Sequence, residues 1–303
     1  MLSSLPAALR GVLTGLTLGL NTVVLTLLMV PPALVKLLLP AEGVRRACDY
    51  ALTGLASRWV ATNNAWIAAV APASVQWDVQ GVDGLHERGW YLVSSNHQTW
   101  VDILVLQRIF HGRIPFLKFF LKRELIWVPV IGLAWWALDF PFMKRGRGHG
   151  AQSADLKTTR EACEKFKRIP TSVINFVEGT RFTPAKQAAQ SSPYRHLLKP
   201  KIGGLGIALA TMGEQFEALL DVTIAYPQGT PTFTDLLCGR LHAVTVRVQR
   251  REIPPEVLGG DPIGNKASRV AVGRWVQQQW IEKDRLLDEL LPAGRTAAAP
   301  PEA

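Results

Sequence analysis

His97 and Asp102 stand in the run Asn96-His97-Gln98-Thr99-Trp100-Val101-Asp102, an imidazole a short step before a carboxylate. A histidine held by a carboxylate has a fixed tautomer and a stabilised imidazolium, which is what removing a proton from an alcohol requires. Much later in the chain comes Glu178-Gly179-Thr180-Arg181. The glycine lets the backbone turn sharply and approach a ligand. Arg181 can grip a phosphate with a two-pronged fork, Thr180 can add a hydroxyl donor, and Glu178 can accept from a polyol hydroxyl or orient Arg181. Together the clusters suit a hydroxyl activated beside a bound anion. Each also has a plainer account: a loop histidine with Asp102 merely capping a helix, and a surface Glu–Arg pair on a turn. The choice rests on whether the two segments form one site.

The elements that would position them follow from pattern. Val75 to Val82 and Gly89 to Ser95 read as strands, so His97 leaves a strand end, and Val101 to Phe110 reads as the next helix. Ala151 to Arg168 reads as a long amphipathic helix and Ser172 to Val177 as the apolar strand feeding the Glu178 turn. Leu205 to Glu217 is predicted helical, Ala218 to Ala225 and His242 to Gln249 extended, and Asn265 to Leu291 helical. Alternation of this kind argues an α/β sheet with helices on its faces, where ligands bind at strand ends.

The chain ahead of that domain is different. No charged residue occurs between Arg10 and Lys36, a run long enough to cross a bilayer as helix. Pro31-Pro32 predicts that the helix ends or kinks near Val30. Residues 44 to 71 form a second helical pattern bearing Arg45, Arg46, Arg58 and Trp59, suited to a membrane surface or to packing on the first helix. Spanning and half-insertion both fit the first run. With basic residues concentrated after it, a spanning helix would leave the bulk of the chain in the cytoplasm. The expected organisation is membrane-anchoring helices over 1–74, a catalytic domain over 75–291, and a disordered Ala- and Pro-rich tail over 292–303.

Composition agrees with a lipid interface. The 303 residues are 48% hydrophobic with ten Trp, and the net charge is +10, which calls for an anionic partner. A basic, Trp-rich, apolar chain fits an anionic membrane surface, and no zinc-finger or RNP-like spacing points to nucleic acid. Cys48, Cys163 and Cys238 are far apart and read as free thiols, not as metal ligands.

Four blocks in order carry a resemblance. Asn96 to Asp102 is the first. Lys122-Arg123-Glu124-Leu125, then Pro129, Gly132 and Phe142-Met143-Lys144-Arg145, is the second. Phe176 to Arg181 is the third, and Asp221-Val222-Thr223-Ile224-Ala225-Tyr226-Pro227 the fourth. The chain resembles the glycerolipid acyltransferase family over roughly residues 75 to 230. The resemblance implies a central mixed sheet flanked by helices, preceded by a membrane-associated two-helix segment. It implies that His97 is the general base on the acceptor hydroxyl, oriented by Asp102. It also implies that Glu178, Gly179, Thr180 and Arg181 bind the acceptor's glycerol phosphate with Lys122 and Arg145. The donor would be an acyl-CoA or acyl carrier protein thioester, with no metal and no cofactor. The acceptor would be a lysophospholipid, by default 1-acyl-sn-glycerol-3-phosphate, at the bacterial inner membrane with the catalytic domain on the cytoplasmic side. Val177 stands where the family usually has proline, a change at a strand end. Tyr226-Pro227 and Trp135-Trp136 resemble a branch that includes lysophosphatidylinositol and lysocardiolipin acyltransferases, which leaves a remodelling role open. A non-catalytic lipid-binding protein is a further alternative, disfavoured by the intact His97, Asp102, Glu178 and Arg181. A metal hydrolase lacks a third ligand cluster.

Three smaller features stay open at this level. Lys144-Arg145-Gly146-Arg147-Gly148 could meet phosphates or be a solvated loop. Lys199-Pro200-Lys201-Ile202-Gly203-Gly204 could border a thioester or phosphate through its glycine backbone, or be a simple basic turn. Trp135 and Trp136 could anchor at the interface, floor an acyl groove, or pack in the interior.

Overall fold

The computed structural model describes residues 4–72, 74–143, 160–258, 260 and 265–292. Helices α1 (Ala7–Leu38) and α2 (Glu42–Val70) come first and pack side by side. A six-stranded mixed sheet follows, in the order β1-β8-β7-β2-β6-β3. Its strands are β1 (Gln76–Gln80), β2 (Tyr91–Ser95), β3 (Leu117–Phe119), β6 (Ser172–Phe176), β7 (Ala218–Ala225) and β8 (Ala243–Arg251). A separate two-stranded ladder joins β4 (Leu121–Lys122) to β5 (Phe142–Met143). The helices within this part are α3 (Val101–Phe110), α4 (Ile131–Ala137), α5 (160–166), α6 (Pro184–Ala189), α7 (Gly203–Met212), α8 (Phe233–Leu237) and α9 (Lys266–Leu290).

Strands β7, β2 and β6 are central, parallel neighbours, and every residue of β2 and β7 is buried. Continuous apolar burial is what a sheet covered on both faces demands. Ser95 pairs with both Phe176 and Val222, so β2 and β6 end level while β7 runs on to Ala225. The residues just beyond those ends, at 96–102, 177–182 and 226, therefore share one edge of the sheet. β7 and β8 pair antiparallel, so β8 and its parallel neighbour β1 run opposite to the other four strands and the sheet is mixed.

The two N-terminal helices share the core of this sheet. Met29, Ala33, Leu52, Ala56 and Ile67 belong to the same buried cluster as Tyr91, Val105, Ile174 and Ile224. Of the end or kink expected near Val30, the end does not occur: α1 runs through Pro31 and Pro32 to Leu38. Tertiary contacts explain the difference, since Met29 and Ala33 on either side of the prolines are buried. Lys36 is held beyond them by an ion pair with Asp139 and another, at 2.5 Å, with Asp49. Prolines persist inside helices where neighbouring elements support the interrupted backbone. α1 lies lengthwise on the molecule. At one end a Cβ built on Gly11 would sit 2.7 Å from Cys238 Sγ, and at the other Lys36 reaches Asp139.

Smaller differences follow from packing. The helix expected over 205–217 ends at Met212 and continues as a short 3-10 turn, Gly213–Gln215, with Gly213 close against Leu258. Of the long helix expected over 151–168, residues 160–166 are helical and 167–168 form a turn; 151–159, and residues 293–303 of the expected tail, lie outside the described residues. Cys48, Cys163 and Cys238 are free and buried.

α9 locks onto the sheet through a buried charge. Lys283 is 1% exposed, donates to Val222 O at 2.5 Å, and pairs with Asp221 at 2.6 Å. Burial lowers its pKa from the ordinary lysine value, opposed chiefly by Asp221. Lys283→Met strands Asp221 with only Arg251, at 3.1 Å, as a partner. Thermal unfolding in detergent should report a loss of about 3 kcal/mol, most of it recovered when Asp221→Leu is added.

Candidate active site

The site begins where β2 ends. Asn96 turns back to the sheet edge, its Nδ2 donating to Ile224 O at 2.9 Å and its Oδ1 accepting from Ile224 N at 2.8 Å. Gln98 Nε2 donates to the same Ile224 carbonyl at 2.9 Å. These bonds moor the loop to β7 on either side of His97.

Asp102, in the first turn of α3 and fully buried, organises what lies between. Its Oδ2 meets His97 Nδ1 at 2.8 Å and accepts from Gln98 N at 2.6 Å and Thr99 N at 2.9 Å. Its Oδ1 accepts from the Tyr226 hydroxyl at 2.6 Å. Asp102 thus shapes the loop and orients the imidazole at once; it does not cap α3, whose N-cap, Trp100, has no side-chain hydrogen bond. Because the carboxylate accepts, Nδ1 carries the proton and Nε2 is the basic nitrogen. The ring also stacks on Phe176, with centroids 3.9 Å apart and planes at 15°. Tyr226 is buried, and burial with the nearby Asp102 charge pushes its pKa well above 10.0, so it stays a donor.

The third strand end closes on the first. Glu178 Oε1 accepts from His97 N at 2.8 Å, and Oε2 from Leu198 N at 2.9 Å. Phe182 N donates to His97 O at 2.7 Å. The two clusters, 81 residues apart from His97 to Glu178, form one structure. The geometry corrects the reading of Glu178: 0% exposed, it faces neither a ligand nor Arg181, and it ties the histidine loop to the Leu198 segment. A carboxyl buried this way is pushed up to about 8, burial outweighing the two backbone donors.

Gly179, Thr180 and Arg181 do face the open side. Gly179 has φ 69°, and a Cβ there would lie 3.1 Å from the Lys201 side chain. Thr180 Oγ1 accepts from Lys186 Nζ at 3.0 Å. Arg181 is exposed, its Cζ 5.2 Å from the Trp100 ring centroid. Lys122 is exposed on β4. His97, Lys122, Gly179, Thr180 and Arg181 all line one cavity of about 880 Å³. Arg145, with Lys144 and Arg147, lies outside the described residues. Lys201 of the basic glycine-containing segment comes against Gly179, so that segment does border the site.

Behind this polar mouth the cavity is apolar. Leu18, Leu25 and Met29 of α1, Ile103 and Leu104 of α3, and Phe119 line it. Trp135 and Trp136 part ways, the first lining the cavity and the second 40% exposed. Sequence reasoning missed Asn96, Gln98, Phe176 and Tyr226 as positioning residues, although all stood inside the quoted blocks. It also missed α1 as a cavity wall. Among the described residues no group of three or more His, Cys, Asp and Glu is placed to hold a metal ion.

Residues 76–227, the span that holds the polar groups of the site, match the Acyltransferase family model. The chain belongs to that family. Among similar proteins, 1-acyl-sn-glycerol-3-phosphate acyltransferase 2 of Arabidopsis thaliana is 30% identical over 216 residues, 67% of this chain and 52% of that protein. Lysocardiolipin acyltransferase 1 of Danio rerio is 27% identical over 293 residues, 92% of this chain and 70% of its own length. The crystal structure of the 1-acyl-sn-glycerophosphate acyltransferase of Thermotoga maritima aligns with a TM-score of 0.49 at 21% identity, over 90% of this chain and 97% of that one. The chain spans about half the length of the Arabidopsis relative.

The buried Glu178 gives the fold a pH signature. A carboxyl raised from 4.5 to about 8 in the fold contributes stability that is complete below 4.5 and lost as pH rises through about 8. Glu178→Gln exchanges one acceptor for a donor facing a backbone N–H, which should cost about 1–3 kcal/mol. Melting temperatures of the two proteins across that window should converge as pH rises, because only the wild type carries the titrating group.

Proposed function

We propose that the chain is a membrane-bound O-acyltransferase that moves an acyl group from a thioester to the sn-2 hydroxyl of a lysophospholipid. One observation carries the reading: an aspartate-held histidine and an arginine meet at the mouth of an apolar cavity walled by α1. Nε2 of His97 removes the hydroxyl proton as the oxygen attacks the thioester carbonyl. The carbon–sulfur bond then breaks, and the thiolate takes the proton from the imidazolium. A thiol with pKa about 8.5 leaves readily, so no covalent acyl-enzyme is needed. Asp102 stabilises the imidazolium, Tyr226 and Glu178 hold the loop, and neither metal nor cofactor enters the scheme. Arg181 and Lys122 take the acceptor's phosphate, with Thr180 and the Gly179 turn completing the rim. The apolar cavity takes acyl chain. A coenzyme A or acyl carrier protein thioester is the donor.

The length and composition of α1 would allow it to cross a bilayer. Its two ends and its cavity-lining middle, however, all touch the catalytic part. That arrangement favours α1 lying in one leaflet with Leu16, Leu20 and Leu27, each more than 60% exposed, turned to lipid. With donors made in the cytoplasm, the leaflet is the cytoplasmic one, of the bacterial inner membrane. The acceptor proposed first is 1-acyl-sn-glycerol-3-phosphate, as the name of the Arabidopsis relative suggests. Acceptors with larger headgroups are the second reading, favoured by the match to a lysocardiolipin acyltransferase along 92% of the chain.

His97→Ala should reduce thiol release from acyl-CoA in the presence of lysolipid to background while the protein still floats with vesicles. Turnover retained in that variant would sink the mechanism. Arg181→Ala should raise KM for the acceptor roughly tenfold or more with a smaller change in kcat, as loss of a charged phosphate contact does. An acceptor dependence equal to the wild type would remove Arg181 from the phosphate site. Running both on a panel of lysophosphatidic acid, lysophosphatidylinositol and lysophosphatidylglycerol ranks the acceptors.

A further inference from the structure

A second apolar surface lies beyond α1, on the segment that ends in α4. Between β4 and the end of α4, Trp127 is 84% exposed, Val128 38%, Val130 37%, Leu133 44% and Trp136 40%. These are five large hydrophobic side chains within ten residues. Isolated exposed hydrophobics are ordinary, but a contiguous run marks a binding surface.

The backbone is built to present them. Val130 has φ 66° and ψ −66°, and Ile131 N donates across it to Pro129 O at 2.8 Å. This is a γ-turn of positive φ, a strained form, with a β-branched residue at its centre. Strain of this kind is costly and persists at functional segments. Gly132 seals the turn, since a Cβ there would lie 2.2 Å from Ile126 O. The inward residues Leu125, Ile131, Ala134 and Trp135 line the catalytic cavity, whereas Trp127, Val130, Leu133 and Trp136 do not.

We infer that the Trp127–Trp136 segment is a second membrane-inserting element, a tip that enters the lipid leaflet beside α1. The inference rests on the in-leaflet placement of α1 given above. α4 packs against α1, and Lys36 of α1 holds Asp139 just past α4, so the two outward apolar faces belong to one side of the molecule. Lys122 and Arg123 precede the tip, and Glu124 is the one acidic residue of the segment 120–136. Cations beside an exposed Trp match an anionic leaflet, with the indole at headgroup level. A protein partner would leave the apolar stripe of α1 uncovered, whereas a leaflet covers both.

The test places an environment-sensitive NBD fluorophore on Trp127→Cys, on Leu20→Cys in α1, and on Glu289→Cys in α9, in the full chain. The native cysteines are buried and leave the new thiol to report. On adding phosphatidylglycerol–phosphatidylethanolamine vesicles, the probes at 127 and 20 should shift to the blue and be quenched by lipids brominated in the acyl chain, and the probe at 289 should not respond. A response at 20 without one at 127 overturns the second element and leaves α1 in the leaflet. Silence at both overturns both. A blue shift at 127 that grows with protein concentration before vesicles are added overturns the proposal in favour of pairing between copies. Trp127→Ser should also lower vesicle partition roughly tenfold, as loss of one buried aromatic does. Val130→Gly should raise the melting temperature by relieving the turn while lowering partition, and a fall in both would remove the strain argument.

Discussion

The carboxylate of Asp102 is the constraint from which the site follows. It accepts from two backbone amides and the Tyr226 hydroxyl and engages the His97 ring, all inside a protein interior. A buried carboxylate with fewer partners would be costly, so the loop must take the shape that supplies them. That shape starts α3, sets the imidazole tautomer and draws the end of β7 against the end of β2. Loop shape, ring orientation and strand-end spacing are therefore one problem with one solution. A change that disturbs any of them disturbs the others.

Glu178 plays the matching part on the other strand. It is buried and bridges His97 N to Leu198 N, so the histidine loop is gripped from β6 as well as from β7. The division of labour is clear. Buried carboxylates hold the machinery, while the exposed side chains of Arg181 and Lys122 stand at the mouth. Phe176 covers one face of the imidazole and limits where a hydroxyl can approach.

Much of this was legible in the amino-acid order. β2, β6 and β7 are short, mainly apolar runs followed by turn residues, and the ends of parallel strands are where ligands bind, so the meeting of His97 with the Glu178 turn could be expected. Glu178 was misread because residue type reveals a charge but not its burial, and a carboxylate beside a Gly turn looks like a ligand group. β3, β4 and β5 escaped notice because strands of two or three residues carry no period to detect. The passage of α1 through Pro31-Pro32 was hidden for another reason. Local propensity argues for a stop, and only Met29, Ala33 and Lys36, each satisfied by distant residues, overrule it. Arg145 lies beyond the described residues, so its part stays where the resemblance put it.

α1 carries a consequence for how the molecule is made. Its partner in the Lys36–Asp139 pair is 103 residues away, and its neighbour at Gly11, Cys238, is farther still. The helix leaves the ribosome long before the surface it will wall exists. Contacts this remote in sequence form late, because loop closure must precede them. An apolar helix without its protein partner needs an apolar host, and a lipid leaflet provides one. On the proposed placement of α1 in the leaflet, the membrane holds the helix during assembly, and the cavity closes when the rest of the chain folds against it.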